Sequence, residues 1–129
     1  MKSLLLIFVI PFIISSCGTT VKFPVSGIAP SAEITANKKT DKNNNTVLSI
    51  TAKNLASADR LSPPKKTYVV WITTAQNGTK NIGQLNQENG KTAKLKTLTA
   101  FSPVQVFITA ENEGNVSYPM GTEISRTAF

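Results

Sequence analysis

From residue 46 onward, apolar side chains recur at every second position and never at the three-or-four spacing of a helix. A strand points successive side chains to opposite faces, so this period commits the chain to β structure. Residues 47–53 place Leu48, Ile50 and Ala52 on one face and Val47, Ser49 and Thr51 on the other. Residues 67–74 (TYVVWITT) set Tyr68, Val70 and Ile72 opposite Val69 and Trp71. Apolar residues on both faces predict a central strand covered on both sides. Residues 104–110 (VQVFITA) have the same character, with Val104, Val106 and Ile108 on one side. Shorter strands are predicted at 31–37, 80–85, 93–99 and 122–126.

Turn chemistry separates these runs. Asn77-Gly78, Asn89-Gly90 and Glu113-Gly114-Asn115 supply residues that tolerate positive φ, and Pro63-Pro64 and Ser102-Pro103 mark two further turns. Residues 37–45 (NKKTDKNNN) lack any apolar side chain and read as a solvated loop. Regular turns without helical periodicity predict an all-β fold, an antiparallel immunoglobulin-like β-sandwich of about seven or eight strands. Its predicted core is Trp71, Tyr68, Phe101, Phe107, Leu48, Ile50, Val70, Ile72, Val106 and Ile108. Lys91, Lys94 and Lys96 read as charges that protect an edge strand from aggregation.

The N-terminus carries an address. One basic residue, Lys2, precedes an unbroken apolar run from Leu4 to Ile14. That run is shorter than the about 20 residues a spanning helix needs and has the size of a secretory signal. It ends in Ile14-Ser15-Ser16-Cys17, which resembles a bacterial lipobox. The expected processing is cleavage between Ser16 and Cys17, with S-diacylglycerol and N-acyl modification of Cys17. Two or more acyl chains give stable anchoring to a bilayer. The expected organisation is a signal peptide at 1–16, a lipidated tether at 17–30 with a short extended piece around Val21 to Val25, and a sandwich domain at 31–129.

Composition then removes whole classes of chemistry. The 129 residues include no His and a single Cys. Triads and pairs built on His, His-ligated metal, thiolate zinc sites and internal disulfides are all excluded. Among the seven carboxylates, only Glu111 and Glu113 share a strand parity, and they flank a turn. No glycine loop for phosphate and no calcium loop is present. The chain is therefore read as non-enzymatic and free of cofactor and metal. Its 14 basic side chains against 7 acidic give a net charge of +7. For an exported chain that excess points to anionic membrane, glycan or wall polymer and not to nucleic acid.

The stretch from Tyr68 onward resembles the C-terminal, extracytoplasmic domain of anti-sigma-K factors. The matching pieces are Tyr68-Val69-Val70-Trp71-Ile72, Ile82-Gly83-Gln84-Leu85, Val106 to Glu111, Gly114-Asn115 and Tyr118-Pro119-Met120-Gly121. The resemblance implies a small β-sandwich outside the cytoplasmic membrane and supplies no catalytic residues. It does not carry anti-sigma activity, because the cytoplasmic sigma-binding domain and membrane helix of that family have no counterpart here. Tyr68, Trp71, Glu111 and Pro119 are read as structural, with Glu111 accepting hydrogen bonds from the turn that follows it.

The expected function is that of a membrane-anchored cell-envelope lipoprotein, a non-catalytic binding or structural module whose partner is an envelope protein or polymer. In a Gram-negative host, Gly18 after the lipidated cysteine directs it to the outer membrane. The alternatives are an accessory sensory domain working with a transmembrane signalling protein, and a carbohydrate-binding module. The last would use exposed aromatics, for which Tyr118 and Phe23 are the candidates.

Overall fold

A computed structural model describes residues 18–129; the expected signal peptide, the expected cleavage site at Ser16 and the expected lipidation site at Cys17 lie outside the described residues. Nine strands follow in order: β1 (Gly18–Lys22), β2 (Glu33–Thr40), β3 (Thr46–Lys53), β4 (Thr67–Thr74), β5 (Gly78–Gln84), β6 (Asn86–Asn89), β7 (Thr92–Thr99), β8 (Pro103–Glu111) and β9 (Thr122–Ala128). The only helical piece among the described residues is a 3-10 turn at Ala58–Arg60. Every pairing is antiparallel, in one sheet ordered β1-β2-β3-β7-β6 and another ordered β5-β4-β8-β9. With β2 as strand A, the sheets read A-B-E-D and C′-C-F-G, the immunoglobulin arrangement, and β1 is an extra strand outside A.

The period of two explains why the sheets face each other as they do. Leu48, Ile50 and Ala52 of β3 and Ile34 and Ala36 of β2 point inward from the five-stranded sheet. They meet Tyr68, Val70 and Ile72 of β4 and Val106, Ile108 and Ala110 of β8. All are buried, and each large aliphatic side chain so buried contributes about 1.5–3 kcal/mol.

Several expectations are corrected by the packing. Trp71 and Phe107 are buried as expected, but they form a separate cluster with Val69 on the outer face of the four-stranded sheet. Phe101 is only half-buried and packs at the margin of the main core. The segment expected to be a tether is built into the fold, because residues 18–22 pair with β2 along their whole length. Phe23, expected to be exposed, is buried, since the ladder continues through Phe23 N–H donating to the Ile34 carbonyl at 2.9 Å. The polar run at 37–45 gives its first four residues to β2, leaving a loop at 41–45 held by Asp41 Oδ1, which accepts from the N–H groups of Asn43 and Asn45.

The lysines of β7 are also placed differently. Lys94 lies opposite Asn86 of β6 and 3.7 Å from Glu88, so it is not on an edge. Lys91 sits in the turn between β6 and β7, and only Lys96 lies on a stretch of β7 beyond the reach of β6. Of the three glycine turns, only Gly78 takes a positive φ, +73°.

Candidate functional site

The two ends of the sandwich are built differently. At the end where the chain enters at Gly18, the connections are short: residues 41–45, 75–77 and 100–102. The registers place Gly18 beside Lys39, Thr46 beside Thr99 and Thr74 beside Pro103, which assigns all three to this near end. The three long connections, residues 23–32, 54–66 and 112–121, all lie at the opposite, far end. Long loops on a rigid sandwich are where binding residues concentrate. The far end is therefore the candidate site.

Loop 112–121 is the best-anchored of the three, and it folds over the outer face of the four-stranded sheet. Its Val116 packs on Val69, Trp71 and Phe107, sealing a patch that a two-layer sandwich would leave in solvent. Trp71 and Phe107 stack with ring centroids 6.2 Å apart and planes at 14°. The Trp71 indole N–H donates to Thr109 Oγ1 at 2.8 Å, and the Thr109 hydroxyl donates to Glu111 Oε2. That same carboxylate oxygen accepts from the backbone N–H groups of Met120 at 3.2 Å and Gly121 at 3.1 Å. Glu111 is buried, and its side chain ties the loop's C-terminal turn to the tryptophan, while Glu113 remains exposed.

The approach is close enough to require glycine. A Cβ on Gly121 would lie 1.7 Å from the Ala110 carbonyl oxygen, so no side chain fits without moving backbone. Tyr68, Trp71, Glu111 and Pro119, read as structural in the sequence, differ in task, and Pro119 stands exposed in the loop. Trp71, Glu111 and Gly121 form one buried network on the outer face, while Tyr68 serves the core between the sheets.

The loop's other end is held by Asn81 of β5. Its amide donates to the carbonyls of Gly114 and Val116, both at 2.9 Å, and its Oδ1 accepts from Gly83 N–H. Asn81→Ala is expected to release this end of the loop. Hydrogen exchange of residues 114–118 should speed up by an order of magnitude or more, for two hydrogen bonds of about 1 kcal/mol each, with the β4 and β8 amides unchanged. Unaltered exchange in the loop would show that Val116 and the Glu111 contacts hold it without Asn81.

What the far end presents is apolar and mixed with charge. Tyr118 and Met120 are 65% and 69% exposed, and from loop 23–32 Val25 and Ile28 are 77% and 49% exposed. Loop 23–32 is fastened beside β9 by Ser125 Oγ donating to the Pro24 carbonyl at 2.9 Å. A groove of about 320 Å³ runs between loops 54–66 and 112–121, lined by Lys65, Glu113, Val116 and Met120 among others. Among the described residues no three carboxylate or thiol groups converge as a metal site.

A smaller cavity of about 150 Å³ opens under loop 54–66, with Leu55, Ala56, Tyr68 and Leu85 in its walls. The Tyr68 hydroxyl donates to the Ala56 carbonyl at 2.6 Å, fixing the loop to the core. Burial, with Asp59 nearby as the second cause, pushes the Tyr68 pKa up from 10.0 to about 12. The unfolded chain therefore loses the phenolic proton first. This group's contribution is whole below pH 10 and declines between pH 10 and 12. Tyr68→Phe is expected to lower stability by about 1 kcal/mol at neutral pH and to flatten the fall above pH 10. Thermal melts of both proteins across that interval check it; parallel curves would contradict the burial of the hydroxyl.

Sequence reasoning found Tyr118, Trp71 and Glu111 but missed Val25, Ile28, Met120 and Asn81. No periodicity marks an exposed apolar residue in a loop, and a lone Asn gives no sign of what its amide will reach. Comparison of the chain with protein-family models, curated proteins and solved structures gave no match.

Proposed function

We propose that this protein is a membrane-anchored cell-envelope lipoprotein. It acts as a non-catalytic binding module that holds an envelope protein partner on its far-end loops. The observation that carries this reading is the polarity of the fold. The long loops and the exposed Val25, Ile28, Tyr118 and Met120 lie at the end away from Gly18. An acylated Cys17, one residue before β1, would hold the opposite end at the bilayer and turn these loops outward. The sensory alternative uses the same surface with a signalling protein as its partner. The carbohydrate alternative keeps only Tyr118, because Phe23 is part of the core.

The test is a cross-linking pulldown from native membranes with three forms: the unchanged protein, Cys17→Ser, and Tyr118→Ala with Met120→Ala. The first should retain a specific partner that both variants lose, the Cys17 variant together with its salt-resistant membrane association. Retention of the partner by the loop variant would remove the far end from the function. Membrane association of Cys17→Ser that withstands a high-salt wash would remove the lipid anchor.

A further inference from the structure

The charge of the chain is not spread evenly over the sandwich. Of the seven carboxylate side chains, six (Glu33, Asp59, Glu88, Glu111, Glu113 and Glu123) lie in the far half, where seven basic side chains roughly balance them. The near half holds Lys38, Lys39, Lys42, Lys80, Lys96 and Arg126 against Asp41 alone. Asp41 is occupied in its own turn, and Arg126 is paired with Glu123 at 2.6 Å. With that pair set aside, five lysines stand against Asp41 in the near half, a net +4, while the seven basic and five acidic side chains of the far half leave +2; Lys38, Lys39, Lys42 and Lys80 lie in or within three residues of the near-end turns.

Between those lysines lie apolar side chains. Leu98 and Val104 are 58% and 47% exposed, and Phe101 and Phe129 are half-buried at the same end. The ammonium groups of Lys38 and Lys80 sit 4.8 Å and 5.1 Å from the ring centroids of Phe129 and Phe101. Lysines that rest on aromatic rings around exposed aliphatic residues are the composition of an interfacial membrane contact. The apolar groups enter the headgroup boundary while the ammonium groups meet anionic lipid. The short connections at this end make it flat and rigid, and the chain enters the fold there.

We infer that the near end is a second membrane contact, through which the sandwich seats itself directly on an anionic phospholipid surface. The inference rests on the anchored reading for its geometry but not for its chemistry. With β1 starting at Gly18, no flexible tether separates the sandwich from position 17. Acylation there would press this face against the headgroups and fix the far-end loops pointing away from them.

The folded part has no other thiol, so one introduced cysteine can carry a fluorophore in the lipidated full chain. The exposed positions Gln76→Cys at the near end and Ser117→Cys at the far end serve as the pair. The proteins are placed on vesicles of phosphatidylcholine with or without phosphatidylglycerol, each containing a headgroup-linked quencher. On phosphatidylglycerol vesicles position 76 should be quenched several-fold more than position 117. That difference should shrink with salt and with Lys39→Gln, Lys42→Gln and Lys80→Gln combined. Equal quenching at the two positions, or quenching indifferent to lipid charge, would overturn the inference. So would binding to a soluble polyanion such as heparin without quenching on either vesicle. The Cys17→Ser chain separates the two claims. Salt-reversible binding of that form to phosphatidylglycerol vesicles, with position 76 nearest the lipid, would uphold the near-end contact even if native Cys17 proved unacylated.

Discussion

Trp71→Ala is expected to destabilise the domain by about 3–5 kcal/mol, the cost of truncating a large aromatic side chain in a packed site. Trp71 is fully buried, yet it is not part of the core between the sheets. It stands on the outer face of β4 and is covered by loop 112–121 through Val116. Its loss should therefore do two things at once. It opens a cavity against Phe107, and it removes the floor on which a far-end loop rests. It also takes away the donor to Thr109, whose hydroxyl would then lack one partner in a chain that ends at Glu111. Trp71 is the only tryptophan, so the variant must be followed by circular dichroism, while the native protein offers its fluorescence. A blue emission resistant to iodide should accompany the large stability loss. A loss under about 1 kcal/mol, the size of a surface substitution, would mean that the outer face is open to water.

The second large effect is expected at Glu111. One carboxylate oxygen accepts three hydrogen bonds, from Thr109, Met120 and Gly121, inside a buried site. Glu111→Ala leaves those donors without an acceptor and should cost about 3 kcal/mol or more, because unmade buried hydrogen bonds carry the full desolvation penalty. Glu111→Gln keeps a carbonyl oxygen where the bonds converge and should recover at least half of that loss. Urea unfolding of the two variants checks the pair. Equal destabilisation by Ala and Gln would show that the negative charge, rather than the acceptor position, is what the site requires. Loop readouts should follow the same order, with amides 114–121 exchanging fastest in the Ala variant.

These two residues also show how far the sequence could be read. The strand carrying Trp71 was legible to the residue: 67–74 is dense in β-branched and aromatic side chains, and β4 has those bounds. The apolar content of both its faces correctly announced two covers. What the sequence did not reveal was the nature of the second cover. Loop 112–121 has one apolar side chain turned inward, Val116. Its seat depends on Asn81, more than thirty residues away, and on Glu111. Contacts of that kind leave no period behind.

The two missing strands failed for a related reason. β6 (NQEN) has no apolar residue and is exposed throughout, so only its ladder to β7 makes it a strand. β1 (GTTVK) offers one apolar residue, Val21, in a segment that Pro and Gly made look like a tether. Pairing with β2 supplies what its side chains do not, and it draws Phe23 into the core behind it. The uneven charge had no sequence signature either. Lysines and carboxylates are mixed along the chain, and only the antiparallel registers gather most carboxylates toward the far end, leaving the near-end lysines almost without them.

The central functional claim is that the far-end loops meet a partner while the near end faces the bilayer. The most direct measurement is photo-cross-linking in living cells, with a photoreactive amino acid placed at position 118 in one strain and at position 76 in another. The expected result is a discrete protein adduct from position 118 and, from position 76, lipid adducts without that protein. The same protein adduct from position 76 and none from position 118 would contradict the claim.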